Sequence, residues 1–249
     1  MKTLSFKKQL MFGYGVLLIL VLWIIASLVV KNEIIFPTPW KTFIDLGYLL
    51  VQKQTYLVLI ATIGRLVLSI VGAFAVSLVL SSLSIKYPSF YTFLKPLMTL
   101  FKTVPVASII IILLALVGHE SSPYYITGLV LIPLLYEAIY QGYASIDVNI
   151  IDEVRMQTAI NSEVIRSVYL PMITPFVFTG LVQSLGLGLK VMVMSEFIAQ
   201  PMLSIGRELL YQKQQFEMGF VFAWTILLVL LIVGFEALLA RIKTALKKS

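Results

Sequence analysis

The chain has 249 residues, of which 59% are hydrophobic and only 12% charged, and its mean hydropathy is +0.98. An average soluble domain is nearer a quarter charged, so this surplus of apolar residues excludes a single water-soluble core. The net charge of +7 does not indicate nucleic acid, because most Lys and Arg residues stand between and beyond the apolar runs instead of clustering on one solvated face. With no cysteine, disulfides, thiolate metal sites and thiol catalysis are excluded.

The first apolar run, Leu10 to Val30, follows Lys2, Lys7 and Lys8. It is longer than the h-region of a secretory signal and further spans follow, so it reads as a retained membrane helix. Five more runs suffice to cross about 30 Å of hydrocarbon at about 1.5 Å per residue. They are Leu57 to Leu83, Leu97 to Val117, Tyr124 to Tyr143, Pro171 to Ala199 and Met218 to Ala240. The expected fold is therefore all-α and polytopic, with six transmembrane helices and both termini on one side. With the N-terminus inside, the connections carry twelve Lys and Arg residues on the cytoplasmic side against five outside, which places both termini in the cytoplasm.

Two connections are unusual. Ile34 to Tyr56 opens with Phe36, Pro37, Thr38, Pro39 and Trp40, where two prolines oppose helix, and then resumes a mixed pattern expected to form a short interfacial helix. Ala144 to Leu170 is too polar to span and too long for a tight turn. Within it Ile151, Val154, Thr158 and Ile165 fall near one helical face, while Asp152, Glu153, Arg155 and Glu163 lie mostly elsewhere, the pattern of an amphipathic cytoplasmic helix.

Small residues recur every fourth position at Ser69, Ala73, Ser77 and Ser81, and at Gly180, Ser184 and Gly188. Such stripes let helix backbones approach closely in lipid, so they read as packing faces, with a pathway lining as the alternative. Charges within spans are costly and turn toward protein or water. Glu137 and Glu236 near cytoplasmic ends, and Glu196 near an outer end, read first as solvated or capping groups. Arg65 and Lys190 lie deeper, and each reads either as a snorkelling or ion-paired cation or as part of a translocation path. Lys190 and Glu196, six residues apart, cannot pair on one helix face, so Arg65 with Glu196 is the expected pair. His119, in a short outer loop beside Glu120, lacks the partners of a metal or nucleophilic site and reads as a solvated loop residue. No phosphate-binding G-x-x-x-x-G-K-[ST] loop occurs, so any ATP must be handled by a partner.

From about Ile34 to Arg241 the residues resemble the permease subunits of ABC importers for nitrate, sulfonate, taurine and thiamine-precursor substrates. The resemblance begins at Phe36-Pro37-Thr38-Pro39 and Thr62-Ile63-Gly64-Arg65. It continues through Lys95-Pro96, Val104-Pro105, Gly118, Pro133, Gly142 and Asp147, and is most specific from Asp152 to Pro171, followed by Gly180-Leu181, Gly188-Leu189-Lys190 and Ser195-Glu196. In that family a cytoplasmic Glu-Ala-Ala-x-x-x-Gly segment forms a coupling helix that docks on the ATPase. Aligned on Leu170-Pro171, its Glu is Asp152, its alanines are Glu153 and Val154, and its glycine is Thr158. The lost glycine removes an easy left-handed turn, for which Asn161 is a nearby substitute.

The resemblance implies a single permease domain. Residues 1–56 would form the N-terminal helix and outer segment, 57–240 a five-helix type I importer core, and 241–249 a cytoplasmic tail. It also implies residence in the cell (plasma or inner) membrane and pairing with a second permease, most simply as a homodimer. Solute would arrive from an external binding protein, and a cytoplasmic ATPase dimer would hold ATP and Mg, with no cofactor on this chain. The rival readings are an ion-coupled secondary transporter, with Glu137 and Glu236 as ion sites, and an intramembrane enzyme, for which no nucleophile, base or metal cluster emerges.

Overall fold

A computed structural model describes residues 2–147, 149–150, 152, 156 and 162–246. Every regular element among them is helical: α1 (Lys2–Val30), α2 (Pro39–Val51), α3 (Lys53–Lys86), α4 (Pro88–Thr103), α5 (Val106–Ala144), α6 (Leu170–Ala199), α7 (Ile205–Gln214) and α8 (Met218–Leu246). A helical turn at Ser162–Val164 and a π-helical turn at Ile165–Tyr169 lead into α6. Among the described residues five stretches are long and apolar enough to cross a membrane: Gly13–Val30, Lys53–Lys86, Val106–Ala144, Ile165–Ala199 and Met218–Leu238.

The helices that carry the core run in fixed directions. Ser69, Ser77 and Ser81 of α3 donate hydroxyl hydrogen bonds to the carbonyls of Tyr124, Ile132 and Tyr136, a constant offset of 55 residues, so α3 and the later part of α5 are parallel. Gly180 of α6 faces Ala138, Gly188 faces Leu131 and Met192 meets Thr127, so α6 is antiparallel to both. Parallel neighbours require the chain to travel back the length of α3 between Lys86 and Gly118. The return is where the expected helix Leu97 to Val117 fails. Val104 precedes Pro105, takes extended backbone (φ −63, ψ 130) and ends α4. The route back is therefore an oblique α4, a break and the first arm of α5.

Arm one of α5 (106–117) then reverses into arm two (119–144) at Gly118, whose φ of 77° and ψ of 179° suit glycine alone. The expected outer loop is thus a single-residue hinge, and His119, though exposed, begins a helix instead of standing in a loop. The interfacial helix expected after Pro39 is α2, with Thr38 Oγ1 accepting the Lys41 N–H at 3.3 Å and Pro39 in the first turn.

The small-residue stripes lie between these helices. Ala73 packs with Leu66, Leu131, Leu135, Leu189 and Met192 in the central cluster, and Ser184 is fully buried with its hydroxyl returned to the Gly180 carbonyl. In lipid the serine hydroxyls cannot turn to water, and each interhelical bond is worth about 0.6 kcal/mol. A Cβ on Gly180 would stand 2.5 Å from that of Ala138, whereas Gly186 faces open space. Gly180→Ala should therefore destabilise the purified permease by about 1–3 kcal/mol. Gly186→Ala should be neutral or stabilising by up to about 1 kcal/mol. Fluorescence-monitored unfolding in detergent separates the two, and equal melting of both variants would contradict the packing assigned to Gly180.

α2 is docked on α8. Leu49 joins Val58, Ile205, Ala223, Trp224 and Leu227 in a second cluster, and Asp45, only 4% exposed, faces Gly219 so closely that a Cβ there would overlap its carboxylate. Lys41 Nζ stands 3.7 Å from Asp45 and 4.0 Å from Glu217. Burial pushes the Asp45 carboxyl above its ordinary value and the Glu217 charge adds to this, against the opposing Lys41 ammonium. A carboxyl whose folded pKa is raised favours the fold in its protonated form, so its contribution is lost as pH rises from the ordinary Asp value through the raised one. Hydrogen exchange of the α2 amides, corrected for intrinsic rate, should show firmer docking at acid than at neutral pH. Asp45→Asn should abolish that dependence.

Candidate functional site

Where α3, α6 and the hinge of α5 meet, a buried ion pair ties four segments together. Glu196 is fully buried and Arg65 is 7% exposed. Arg65 Nη1 donates to Glu196 Oε1 and to the Leu203 carbonyl, both at 3.0 Å, and Nη2 donates to the Met202 carbonyl at 2.7 Å. The Thr62 hydroxyl, one turn before Arg65, lies 3.0 Å from both Glu196 oxygens and accepts the Ile205 N–H at 3.2 Å. Gly206 N–H reaches Glu196 Oε2 at 3.4 Å. From the hinge, Glu120 accepts the Met202 N–H at 2.8 Å and stands 4.0 Å from Arg65. His119 Nδ1 lies 2.6 Å from the Ala199 carbonyl, an acceptor only, so that nitrogen carries the proton.

Each contact answers a local need. Gln200 (φ 56) and Leu203 (φ 50) are non-glycine residues in the left-handed region, which costs about 1–3 kcal/mol apiece unless the surroundings hold them. Arg65 holds the two carbonyls beside that turn. Ser204 caps α7 by accepting the Arg207 N–H at 3.2 Å, and Gly206 lets α7 approach the end of α6, since a Cβ there would overlap the backbone of Glu196 and Phe197. Glu196 is therefore not solvated, and its carboxylate accepts a backbone N–H in the first turn of α7. The structure brings Arg65 and Glu196 together as a buried pair.

Lys190 is elsewhere. It lies on the exposed face of α6, in a row Phe176, Thr179, Gln183, Leu187, Lys190 and Met194 whose spacings of three, four and seven residues form one ridge. On one side the ridge borders a cavity of about 400 Å³ shared with Glu137, Gln141 and Phe176. On the other it borders a groove of about 620 Å³ between α6 and α8, lined by Val193, Phe197, Leu228 and Ile232, with Lys190 its one charge. Glu137 pairs with Lys102, while Lys190 has no ion-pair partner among the described residues. The Thr179 hydroxyl returns its proton to the Pro175 carbonyl at 2.8 Å, but an exposed amide and an ammonium group along a membrane-crossing helix are costly in hydrocarbon, which favours water or another protein surface on this face. Gln141, Thr179 and Gln183 were not singled out from the sequence because they are uncharged. Their signal is the spacing of seven between Gln183 and Lys190.

At the opposite end from the hinge, the connection between α5 and α6 is pinned at its flanks. Ile146, Val164 and Tyr169 are buried together with Tyr143, Ile150 and Met172 around them, and the Tyr143 and Tyr169 rings stack at 6.3 Å. Asp147 Oδ1 accepts the Asn149 N–H at 2.9 Å, turning the chain after α5. Asp152 is exposed. Ile151, Glu153, Val154, Arg155, Thr158 and Asn161 lie outside the described residues.

Residues 77–248, more than two thirds of the chain, match the family model described as binding-protein-dependent transport system inner membrane component. The chain is also similar to the trimethylamine N-oxide transport system permease protein TmoV of Ruegeria pomeroyi, with 25% identity over 177 residues. That alignment covers 70% of this chain and 26% of the relative, so the chain spans about a quarter of the length of that protein.

Glu196→Gln keeps the shape of the buried pair and removes its charge, leaving Arg65 with only the exposed Glu120 at 4.0 Å as a counter-charge. It should destabilise the permease by about 3–5 kcal/mol. Thr62→Val, which deletes one acceptor and one donor, should cost about 1–3 kcal/mol. Melting of Glu196→Gln at the wild-type temperature would contradict the assignment.

Proposed function

Because the chain belongs to the family of binding-protein-dependent transport system inner membrane components, and so is a permease subunit of an ABC importer, we propose that the exposed ridge of α6 lines the solute path. The reading is supported above all by the placement of Thr179, Gln183 and Lys190 on one uncovered face of a crossing helix, beside Glu137 and Gln141. Two copies facing each other across this ridge, most simply a homodimer, would enclose a polar route between apolar walls.

In this account the hinge end is external, as the distribution of Lys and Arg favours. There the Arg65–Glu196 clamp makes α3, α6, α7 and the hinge of α5 move as one body under a docked binding protein. Both termini and the connection between α5 and α6 face the cytoplasm. Ile151, Asp152, Glu153, Val154, Arg155, Thr158 and Asn161 form the surface that meets the ATPase dimer, which binds ATP and Mg. Apolar contact from Ile151 and Val154, with register fixed by the neighbouring charges, suits a protein groove better than a lipid surface. The permease does no chemistry. It offers two states whose balance the ATPases shift. Residues 57–240 constitute the moving core. Described charges of both signs on the path face suit a small anionic or dipolar solute, and an amine oxide of the kind named for the relative falls within that class.

Lys190→Met keeps the stem and deletes the charge. In proteoliposomes containing binding protein and ATPase, it should lower ATP-dependent uptake about tenfold, equivalent to about 1.4 kcal/mol, while the assembled complex purifies intact. Unchanged uptake would remove Lys190 from the path. ATP-independent uptake driven by an ion gradient would instead favour a secondary transporter.

A further inference from the structure

α4 has two chemically distinct edges. Phe93, Leu97 and Leu100, at the spacing of one helix face, are 71%, 42% and 52% exposed. Tyr91, Lys95, Thr99 and Lys102, also at helical spacing, line a cavity of about 210 Å³ against arm two of α5. The helix crosses the bundle obliquely: the Tyr91 ring stacks on Tyr140 at 4.4 Å, while Lys102, eleven residues on, reaches Glu137, only three residues back along α5. The cavity lies at the bundle end where α3 finishes, since the Tyr136 hydroxyl donates to Ser84 Oγ at 3.0 Å, two residues before the last of α3.

This is the anatomy of a helix lying in a membrane interface, with its apolar edge among acyl chains and its lysine edge at headgroup depth. The stacked tyrosines place their amphipathic rings at that level too. Charge then narrows the occupant. Lys102 is neutralised by Glu137, whereas Lys95 is exposed and has no ion-pair partner among the described residues. The lining therefore carries one spare positive charge, one turn from the Thr99 hydroxyl, whose proton goes to the Lys95 carbonyl at 3.0 Å, and opens beside a strip of uncovered Phe and Leu. We propose that the cavity between α4 and α5 binds the headgroup of an anionic phospholipid, with its phosphodiester at Lys95 and its acyl chains along Phe93, Leu97 and Leu100. A bound lipid would fill the space behind the oblique helix and brace the Lys102–Glu137 pair that borders the path face.

Native mass spectrometry tests this on the purified permease offered equal amounts of phosphatidylglycerol and phosphatidylcholine. Phosphatidylglycerol should be retained about fivefold in preference, the value of one lysine near an anionic headgroup. Lys95→Gln should bring the ratio close to one, and Lys95→Arg should preserve it. Lys86→Gln removes a lysine at the same end that stands over the Tyr87 ring outside the cavity, and should leave the preference unaltered. Equal retention of the two lipids by the wild type would overturn the proposal. So would an equal loss of preference in Lys86→Gln and Lys95→Gln, which would assign the effect to diffuse surface charge. Binding of inorganic phosphate that depends on Lys95, without any lipid preference, would make the cavity a free-anion site and would likewise overturn it.

Discussion

Hydrocarbon offers no hydrogen bonds, and most of this fold follows from that one constraint. A charge such as Arg65, set two turns and more into α3, must find its acceptors within the protein. It finds a carboxylate from α6 and two carbonyls from the turn after it, and the carboxylate is completed by the Thr62 hydroxyl and the Gly206 N–H. The same requirement sends the Ser69, Ser77 and Ser81 hydroxyls to carbonyls of α5, which fixes the register of the two helices. Where polar groups remain uncovered, as at Gln183 and Lys190, the same constraint is the ground for the proposed path.

Direction of travel is the second determinant. Because α3 and the later arm of α5 are parallel, the chain must return between them, and it does so through two short helices joined at Val104-Pro105 and reversed at Gly118. The hinge then presents His119 and Glu120 to the end of α6, so the turn that reverses the chain also contributes to the clamp. A mutation at Gly118 would therefore act on α6 through two routes: backbone strain at the hinge and loss of the contacts to Ala199 and Met202.

Much of this was legible in the residues. Runs of apolar sequence located the long helices, four-residue repeats of Ser, Ala and Gly located their contact faces, and the six-residue separation of Lys190 from Glu196 directed Glu196 toward Arg65. The errors have physical reasons. Hydropathy averages over a window, so it read Leu97 to Val117 as one span although Pro105 interrupts it, and placed His119 in a loop although one glycine suffices to turn the chain. Proximity to a helix end suggested solvation or capping for Glu196; Gly206 allows α7 to cover it completely, and the carboxylate accepts that residue's N–H. A search for charges passed over Gln183 and Thr179, whose meaning appears only when their exposure in a crossing helix is known.

The central claim is that the α6 ridge faces an aqueous path while the outer face of α3 lies in lipid. The chain has no cysteine, so single cysteines can be placed without background. In the assembled transporter in proteoliposomes, cysteines at Gln183 and Lys190 should react with a membrane-impermeant thiol reagent, at rates that change when ATP is added. Cysteines at Val71 and Val79, 59% and 58% exposed on α3, should remain unmodified. If positions 183 and 190 are as unreactive as 71 and 79 in every nucleotide state, the ridge is not the path.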